Sequence, residues 1–236
     1  MQLFYVSSSE LTAGHLSPEE SNHCVRVLRK KEDDEIHLID GKGGSYSAVV
    51  TKANAKSCEF KVTETKQSAN NLPDLHVLIA PTKSLDRFEF FIEKACELGI
   101  KEITPVFTFN SERRHLNRDK LTKKMVAACK QSYTLHFPVI NEPIKFAQAM
   151  NLHGSHQAMQ KLIAHCYSHE TPHLKTMDTQ KATLLLIGPE GDFSKEEVTA
   201  AEQAGFKAVS LGDKRLRTET AGIFACSIFN LVEFNK

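Results

Sequence analysis

The sequence predicts an α/β protein in which a small β-rich unit precedes a larger unit of alternating strands and helices. Three β-rich runs with short turns between them, within residues 36–65, predict a small β-barrel. From residue 75 onward, short apolar runs alternate with segments of helical periodicity, which is typical of a largely parallel sheet. The polar stretch QSANNLPD, residues 67–74, separates the two patterns. We therefore expect two domains, at residues 1–70 and 75–236.

The composition is that of an ordinary soluble protein. Of the 236 residues, 41% are hydrophobic and 25% are charged, and the formal net charge is +1, so nucleic-acid binding would need local basic patches. Six cysteines lie far apart without a C-x-x-C pair, which favours reduced thiols over disulfides or zinc. Neither a signal peptide nor a run of about 18 apolar residues is found, so we expect a cytoplasmic protein with no membrane partner.

Local signals predict the N-terminal elements. Residues 2–6 form a β-rich run that predicts the first strand. Ser17 has the position of a helix N-cap, followed by proline and two glutamates in the first turn. The three β-rich runs are IHLIDG, SYSAVVTKA and CEFKVTET. The turn at residues 41–44 lacks the spacing of a phosphate-binding loop, and we interpret it as a hairpin turn.

The second unit is predicted to open with a strand at residues 75–80. A helix with an apolar stripe follows, between an N-cap at Ser84 and Gly99. The next predicted elements are a strand at 103–107, a basic helix at 117–135, a helix with its loop at 142–157, and a strand at 162–166. This alternation predicts the parallel sheet.

Residues 184–204 begin the most informative part of the chain. The apolar run 184–187 predicts a buried strand, which stops abruptly at Gly188-Pro189-Glu190-Gly191. Ser194 and Glu197 have the spacing of a capping box and predict a helix that ends at Gly205.

A second strand end follows at residues 207–211, which stop at Gly212. A polar loop, 213–218, leads into an apolar helix at about 219–232. Ligands of open α/β sheets bind outside the carboxyl ends of strands, and glycine lets backbone groups approach a ligand closely. The two glycine-bearing loops therefore predict a ligand site.

The motifs IGPEGDFS and LRTETA, with Leu211-Gly212 between them, resemble those of the SPOUT superfamily of methyltransferases. Within it the chain is similar to the bacterial 16S ribosomal RNA uridine N3-methyltransferases. The stretch His23–Arg29 resembles the family pattern H-x-x-V-L-R, and Lys94–Gly99 matches K-A-x-E-L-G. The chain departs from the family at Tyr133-Thr134, where a glycine and an arginine are frequent, and at Asp192, often a second glycine.

This resemblance implies a fold, a cofactor and a set of binding residues. The fold is a C-terminal SPOUT α/β trefoil-knot domain with an N-terminal PUA-like β-barrel, and the usual state is a homodimer. The cofactor is S-adenosylmethionine, held between the knot loops. The implied cofactor-binding residues are Leu186, Ile187, Gly188, Pro189, Glu190, Gly191, Leu211, Gly212, Leu216, Arg217, Thr218, Thr220 and Ala221.

The expected reaction is methyl transfer to the N3 of a uridine in 16S ribosomal RNA, within the 30S subunit. Uridine N3 loses a proton, and a guanidinium would stabilise the charge that spreads to the ring carbonyls, for which Arg217 is the candidate. Arg215 would be able to share that role. Glu219 would either accept the proton or stabilise the start of the following helix. The alternatives are a non-catalytic RNA-binding module and methylation of another RNA position.

A basic stretch at residues 113–130 holds seven lysines or arginines against one acid, Asp119. Such a cluster suits an RNA backbone, although a solvated helix face has the same pattern. The shorter basic run at 26–31 is followed directly by four acids. The RNA contacts expected from both runs and from the loop at residue 83 are Arg26, Arg29, Lys30, Lys83, Arg113, Arg114, Lys123 and Lys124.

A histidine cluster invites a metal interpretation that we do not adopt. His165, His169 and His173 are spaced by four, with Cys166 beside the first, but Pro172 interrupts any helix that would align them. We expect no metal. The apolar stripe of the last helix is most simply core, and the resemblance implies that part of it forms the dimer interface. Its members are Ala221, Phe224, Ala225, Ile228 and Val232.

Overall fold

The computed structural model describes residues 2–153, 159–167 and 171–231. It divides into two compact units. The first comprises Met1–Asn71 with Val126–Phe137, and the second comprises Leu72–Met125 with Pro138–Lys236.

The first unit contains a four-stranded sheet with two short helices. Its elements are β1 (Leu3–Tyr5), α1 (Ser8–Ala13), α2 (Pro18–Asn22) continuing into a π-helical turn (His23–Val27), β2 (Glu35–Ile39), β3 (Gly44–Lys52) and β4 (Glu59–Gln67). The strand order is β1-β2-β3-β4, and β1 runs parallel to β2 while the other pairs are antiparallel. The three β-rich runs and the strand near the N-terminus are thus where the sequence predicted them.

Both short helices of this unit begin after a serine whose hydroxyl caps the first turn. The hydroxyl of Ser17 accepts a hydrogen bond from the Glu20 backbone, which confirms the predicted helix start. The first helix was not predicted, although Ser7 and Glu10 form a complete capping box in front of it. The S-x-x-E spacing was the signal that would have found it.

The second unit is a parallel sheet with helices between its strands. Its elements are β5 (Leu75–Ile79), α3 (Leu85–Leu98), β6 (Glu102–Phe107), α4 (Arg118–Ser132, whose residues from Val126 onward belong to the first unit), β7 (Val139–Ile140), β8 (Ile144–Lys145), α5 (Phe146–His153), β9 (Gln160–Ala164), a 3-10 turn (Leu174–Thr176), β10 (Thr183–Ile187), α6 (Lys195–Gln203), β11 (Lys207–Val209) and α7 (Thr218–Leu231). The strand order is β11-β9-β10-β5-β6-β7, and β8 pairs with β6.

The two central strands, β5 and β10, are buried along their whole length. Every strand pair of this sheet is parallel, so the carboxyl ends lie at one edge. Ile187, the last residue of β10, is in register with Ile79 on one side and with Ala164 on the other. Continuous apolar runs are what a parallel sheet covered on both faces requires.

Helices α3 and α7 pack against each other, and α7 packs against β5 and β10. Gly222 of α7 lies where a Cβ would come within 2.5 Å of the Phe91 ring, so this glycine sets how closely the helices approach. Ala221, Ala225 and Ile228 are buried, as expected for a core stripe, whereas Phe224 is partly exposed. Val232, the last predicted member of the stripe, lies outside the described residues.

Several predicted boundaries are wrong by two or three residues. The basic helix ends at Ser132 instead of 135, because Tyr133 adopts a left-handed backbone with φ 58°. Strand β9 ends at Ala164, and His165 and Cys166 belong to the loop after it. Strand β11 ends at Val209, two residues before Leu211. Ser84 is the N-cap residue of α3, but its side chain makes no capping bond.

Within the described residues, every helix is too short or too polar to span a lipid bilayer.

Candidate active site

A cavity of about 310 Å³ opens at the carboxyl ends of β9, β10 and β11. Its volume is at the lower end of the range of small-molecule sites, roughly 300–1,000 Å³. The residues that line it are Ala164, His165, Cys166, Ile187, Gly188, Pro189, Glu190, Asp192, Val209, Ser210, Leu211, Gly212, Asp213, Lys214, Arg215, Leu216, Thr218 and Ala221.

Strand register brings these loops together. Ala164 pairs with Ile187 on one side and with Val209 on the other, so three strands end at the same level. The chain leaves each strand directly into a loop that lines the cavity. This is the edge of the sheet at which the sequence predicted a ligand site.

Two glycines shape the cavity in different ways. Gly212 has φ 115°, a backbone conformation that disfavours any residue with a Cβ. Gly188 has no such requirement, but a Cβ there would meet the Phe193 ring at 3.1 Å. Glycine at 212 is therefore needed for the turn, and glycine at 188 for close packing.

Hydrogen bonds tie the loops around the cavity to one another. The Thr218 hydroxyl donates to the carbonyl of Gly188 over 3.0 Å, and the Arg215 guanidinium donates to the carbonyl of Glu190 over 3.0 Å. The Glu190 carboxylate in turn accepts the backbone N–H of Lys83 over 2.9 Å. The loops after β5 and β10 and the segment before α7 thus form one network.

Asp192 joins the loop after β10 to the end of β9. Its carboxylate accepts the backbone N–H of Cys166 over 2.9 Å and that of Phe193 over 2.8 Å. Partial desolvation of its sulfur and the neighbouring Asp192 charge raise the pKa of the Cys166 thiol, although the residue as a whole is exposed. Asp192 itself has φ 61°, a left-handed conformation that aspartate tolerates better than most residues. The turn is therefore left-handed without a glycine at this position.

Most of the predicted cofactor-binding residues line the cavity, and four do not. The nine that do are Ile187, Gly188, Pro189, Glu190, Leu211, Gly212, Leu216, Thr218 and Ala221. Leu186 is buried in the core, and the Gly191 carbonyl accepts a bond from Asn110. Arg217 and Thr220 are exposed and lie outside the lining.

Sequence reasoning missed the loop after β9, and it considered Arg215 as an alternative catalytic residue but not as part of the cofactor-binding set. Ala164, His165 and Cys166 line the cavity because β9 lies beside β10, although residues 165–182 separate the two strands in the sequence. Ligands bind outside the carboxyl ends of the strands, so the loop after β9 would have been predicted as part of the site had the strand order been known.

The two predicted catalytic residues have different surroundings. Arg217 is exposed just before α7, and its carbonyl accepts the Ala221 N–H over 2.8 Å. Glu219 is buried in the first turn of α7, with its Oε1 3.9 Å from Nε of Arg87. The Glu219 Oε2 atom has no hydrogen-bond partner. Neither side chain lines the cavity.

The predicted RNA-binding cations of the second unit include several with protein partners. Lys83 forms an ion pair with Glu112 at 2.8 Å, which raises the pKa of Lys83. Lys124 is paired with Glu93 of α3, whose pKa it lowers. Lys123 is exposed on the same helix.

Arg113 and Arg114 are bonded to carbonyl oxygens. Arg113 donates to the carbonyls of Thr82 and Lys83, and Arg114 donates to those of Thr108 and Phe109. A guanidinium bonded to neutral carbonyls keeps its full charge, so both arginines contribute positive charge at this edge of the sheet.

The predicted RNA-binding residues of the first unit follow α2. Arg26 is exposed in the π-helical turn, and Arg29 is exposed with φ 57°. Lys30 donates from Nζ to the carbonyl of Glu35 over 2.9 Å.

The histidines of the metal interpretation have other roles. His165 Nδ1 accepts the N–H of Tyr167, and His173 Nδ1 accepts the N–H of Lys175 at the start of the 3-10 turn. His169 lies outside the described residues. Across the ranges that the structure describes, no group of three or more ligating side chains is close enough to hold a metal.

Two protein-family models match the chain. The model of an RNA methyltransferase domain matches residues 69–230. The model of an RNA methyltransferase PUA domain matches residues 16–63. The first match covers the sheet and the cavity, and the second covers most of the N-terminal unit.

Individual proteins match over nearly the whole chain. Ribosomal RNA small subunit methyltransferase E of Mesomycoplasma hyopneumoniae is 34% identical, covering 95% of this chain and 96% of its own. The crystal structure of a probable rRNA-methyltransferase from Porphyromonas gingivalis superimposes with a TM-score of 0.90 at 34% identity, covering 100% and 99%. Ribosomal RNA small subunit methyltransferase E from Neisseria gonorrhoeae, bound to S-adenosyl methionine, gives 0.82 at 27%, covering 98% of each.

Proposed function

This chain belongs to the family of RNA methyltransferases that carry a PUA domain, and we propose that it methylates the N3 of a uridine in 16S ribosomal RNA. The methyl donor is S-adenosylmethionine. The fold is that of SPOUT methyltransferases, an α/β parallel-sheet domain preceded by a PUA-like domain, and the trefoil knot of those enzymes is part of the proposal. The observation that carries the proposal is the cavity at the three strand ends, which nine residues of the cofactor motifs line.

The lining of the cavity fits S-adenosylmethionine. Ile187, Leu211, Leu216 and Ala221 provide apolar surface for an adenine ring, and Gly212 in the same lining lets a ligand approach the backbone closely. Among the described residues, a Cβ at Gly212 would meet only His173, at 3.9 Å, so the space beside the backbone is open for a ligand. When bound, the cofactor supplies an already activated methyl group on a sulfonium.

The protein's own contribution is mainly positioning. Alignment of the donor and acceptor atoms accounts for a large part of the acceleration in transfer reactions. The bonds from Thr218 to Gly188 and from Arg215 to Glu190 hold the loops of the cavity in one arrangement before any ligand binds.

The acceptor nitrogen loses its proton to solvent water, and negative charge spreads to the uridine carbonyls. A guanidinium at that position stabilises the charge as it develops. We assign this role to Arg217, whose exposed side chain lies between the cavity-lining Leu216 and the start of α7. Arg215, which lines the cavity, is the alternative donor. Of the two roles open to Glu219, its buried position beside Arg87 supports the one at the helix start.

The substrate is proposed to be 16S ribosomal RNA within the 30S subunit, which places the activity in the cytoplasm. Both units carry predicted phosphate contacts, Arg26 and Arg29 in the first, and Arg113, Arg114 and Lys123 in the second. We also propose that the protein works as a homodimer, in which the partly exposed Phe224 of α7 takes part in the interface.

One experiment tests the proposed function. The protein is incubated with methyl-labelled S-adenosylmethionine and either 30S particles or naked 16S RNA that lack the modification, and the labelled nucleotide is mapped. Label at a uridine N3 is the expected result. Label at another position would change the target while keeping the reaction class. A protein that binds the cofactor and RNA without transferring label would be a binding module instead.

A further inference from the structure

Phe109 is a large apolar side chain that the fold keeps in solvent. It lies in the loop after β6, at the carboxyl edge of the sheet, and 73% of its surface is exposed. Exposed apolar surface of this size is unfavourable in water.

The backbone around Phe109 is held on both sides. Its N–H donates to the Glu197 carboxylate over 2.8 Å, and its carbonyl accepts a bond from Arg114 over 2.8 Å. The preceding Thr108 is fixed as well, by Arg114 at its carbonyl and by Ser111 at its N–H. The ring is therefore presented from a pre-organised loop, which lowers the entropy lost when a partner binds.

The same loop is hydrogen-bonded to the loop after β10, which lines the candidate cavity. The amide of Asn110 donates to the carbonyls of Gly191 and Asp192 over 3.1 and 3.0 Å. Asp192 lines the candidate cavity. Phe109 is thus the sequence neighbour of Asn110, which contacts the loop after β10.

Two arginines provide positive charge near the Phe109 loop. Arg114 contacts the backbone of Phe109 itself, and Arg113 fixes the neighbouring loop at Thr82 and Lys83. The acid between Phe109 and these arginines, Glu112, is paired with Lys83. The carboxylate of Glu197 accepts hydrogen bonds from the N–H groups of Phe109 and Ser194, so it holds the backbone of the loop in place.

We propose that Phe109 is a stacking platform for an unpaired RNA base that lies next to the nucleotide entering the cavity. An enzyme that modifies a base must take it out of its stack, and the neighbouring bases then need new partners. Aromatic side chains supply such partners for any base, while nearby guanidiniums attract the phosphates. The inference rests on the proposed function in taking RNA as the substrate and the cavity as the place where the base reacts.

The chain contains no tryptophan, so Phe109→Trp would make a protein with a single fluorescent indole at this position. We expect a single-stranded, uridine-containing RNA oligonucleotide to quench its fluorescence in a saturable manner. The matched control is Val139→Trp, also exposed (53%) but paired with Glu102 at the opposite end of β6. Its fluorescence should not change with RNA.

Activity gives a second readout. Phe109→Ala should lower RNA affinity and kcat/KM for RNA by roughly 5- to 150-fold, the range found for losing one stacked base. Phe109→Tyr should retain both, and the affinity for S-adenosylmethionine should be the same in all variants. The melting temperature should not fall, since the ring packs little against the protein.

The outcomes separate this inference from the proposed function. If wild-type protein methylates RNA while Phe109→Ala equals it and Phe109→Trp is not quenched, the stacking platform is wrong and the function stands. If Phe109→Trp is quenched but no methyl transfer occurs, base stacking stands and the proposed reaction is wrong. A fluorescence change that follows protein concentration without RNA would overturn the inference in favour of self-association.

Discussion

The hydroxyl of Thr218 donates a 3.0 Å hydrogen bond to the carbonyl of Gly188. Thr218 begins α7, and Gly188 follows the last residue of β10, so one bond joins the two motifs at which the sequence resembles a methyltransferase. Thr218 is buried. The bond therefore helps to close the cavity from the side of the last helix.

Replacing Thr218 by valine should weaken cofactor binding. The change keeps the shape of the side chain but leaves the Gly188 carbonyl without this donor. One such bond contributes about 0.5–1.5 kcal/mol to the stability of the folded loops, so the affinity for S-adenosylmethionine in calorimetry should fall by at most roughly 13-fold. Thr218→Ser retains the hydroxyl and should bind as the wild type does. Equal affinities in the valine and serine variants would show that the bond has no role in the site.

Adding a Cβ at Gly212 should lower the affinity for S-adenosylmethionine. With φ 115°, an alanine there is strained, and the strain falls on a loop that lines the cavity. Gly205 is the matched control, because it also has a positive φ of 88° and open space around it but lies outside the cavity lining. Both alanine variants should melt at a lower temperature than wild type, and only Gly212→Ala should lose affinity in calorimetry. A cofactor affinity unchanged in Gly212→Ala would place the ligand elsewhere.

Cys166 should be the first thiol to react with iodoacetamide in the native protein. It is exposed and lines the cavity, whereas Cys24, Cys58, Cys96, Cys129 and Cys226 are buried. Burial raises the pKa of Cys226 to about 12, so that thiol stays protonated. We expect saturating S-adenosylmethionine to slow labelling of Cys166, measured by mass spectrometry. Equal labelling with and without the cofactor would contradict the site.

The pH dependence of this labelling has a definite sign. The thiolate is the reactive form, and the pKa of Cys166 is raised by partial desolvation of its sulfur and by the charge and hydrogen bond of Asp192. The labelling rate should therefore keep rising with pH above the usual thiol range. Asp192→Asn removes the charge, so the curve should shift to lower pH. A shift in the opposite direction would mean that the substitution has changed the loop instead.

The sequence predicted the loops at Gly188 and Gly212 because local signals define them. A buried strand stopped by glycine or proline, or a capping box such as Ser194 with Glu197, needs no knowledge of distant residues. The position of Cys166 in the cavity was not predictable in that way. It depends on β9 pairing with β10, which only the fold determines.

For the same reason, charge counting along the chain does not show which cations have partners on another helix. The basic helix α4 carries Lys120 and Lys124, but α3 supplies their partners, Glu89 and Glu93. Ion pairs between helices are absent from a sequence pattern that considers one helix at a time. Arg113 was predicted as a phosphate contact, which stays a prediction, and the structure adds that it holds the loop after β5.

Glu219→Gln should have little effect on turnover if the carboxylate acts at the helix start. The side chain is buried, lies 3.9 Å from Arg87 and does not line the cavity. Losing a general base costs roughly 10²–10⁴-fold in rate, and we expect a much smaller change. The double variant Arg87→Gln, Glu219→Gln should show coupling between the two sites in melting temperature. A large loss of turnover with an altered pH profile would restore the role of proton acceptor.

Substitutions of Arg215 and Arg217 should affect different steps, the first cofactor binding and the second turnover. Arg215 lines the cavity and donates to the Glu190 carbonyl, so Arg215→Ala should lower the affinity for S-adenosylmethionine. Arg217 is exposed beside the cavity, and Arg217→Ala should leave affinity and melting temperature near wild type. Turnover should nevertheless fall by about 10²–10³-fold, the usual effect of losing one donor to a developing oxyanion.

Lysine at position 217 distinguishes a guanidinium that stabilises charge on the base from a cation that only attracts RNA. A point charge does not reproduce the planar fork of arginine, so Arg217→Lys should recover little turnover while restoring RNA affinity. Recovery of both would reduce Arg217 to an RNA contact. If Arg217→Ala keeps wild-type turnover while Arg215→Ala binds the cofactor normally and is inactive, Arg215 is the residue that stabilises the uridine anion. Single-turnover rates with the cofactor saturating would decide between them, because they exclude differences in cofactor affinity.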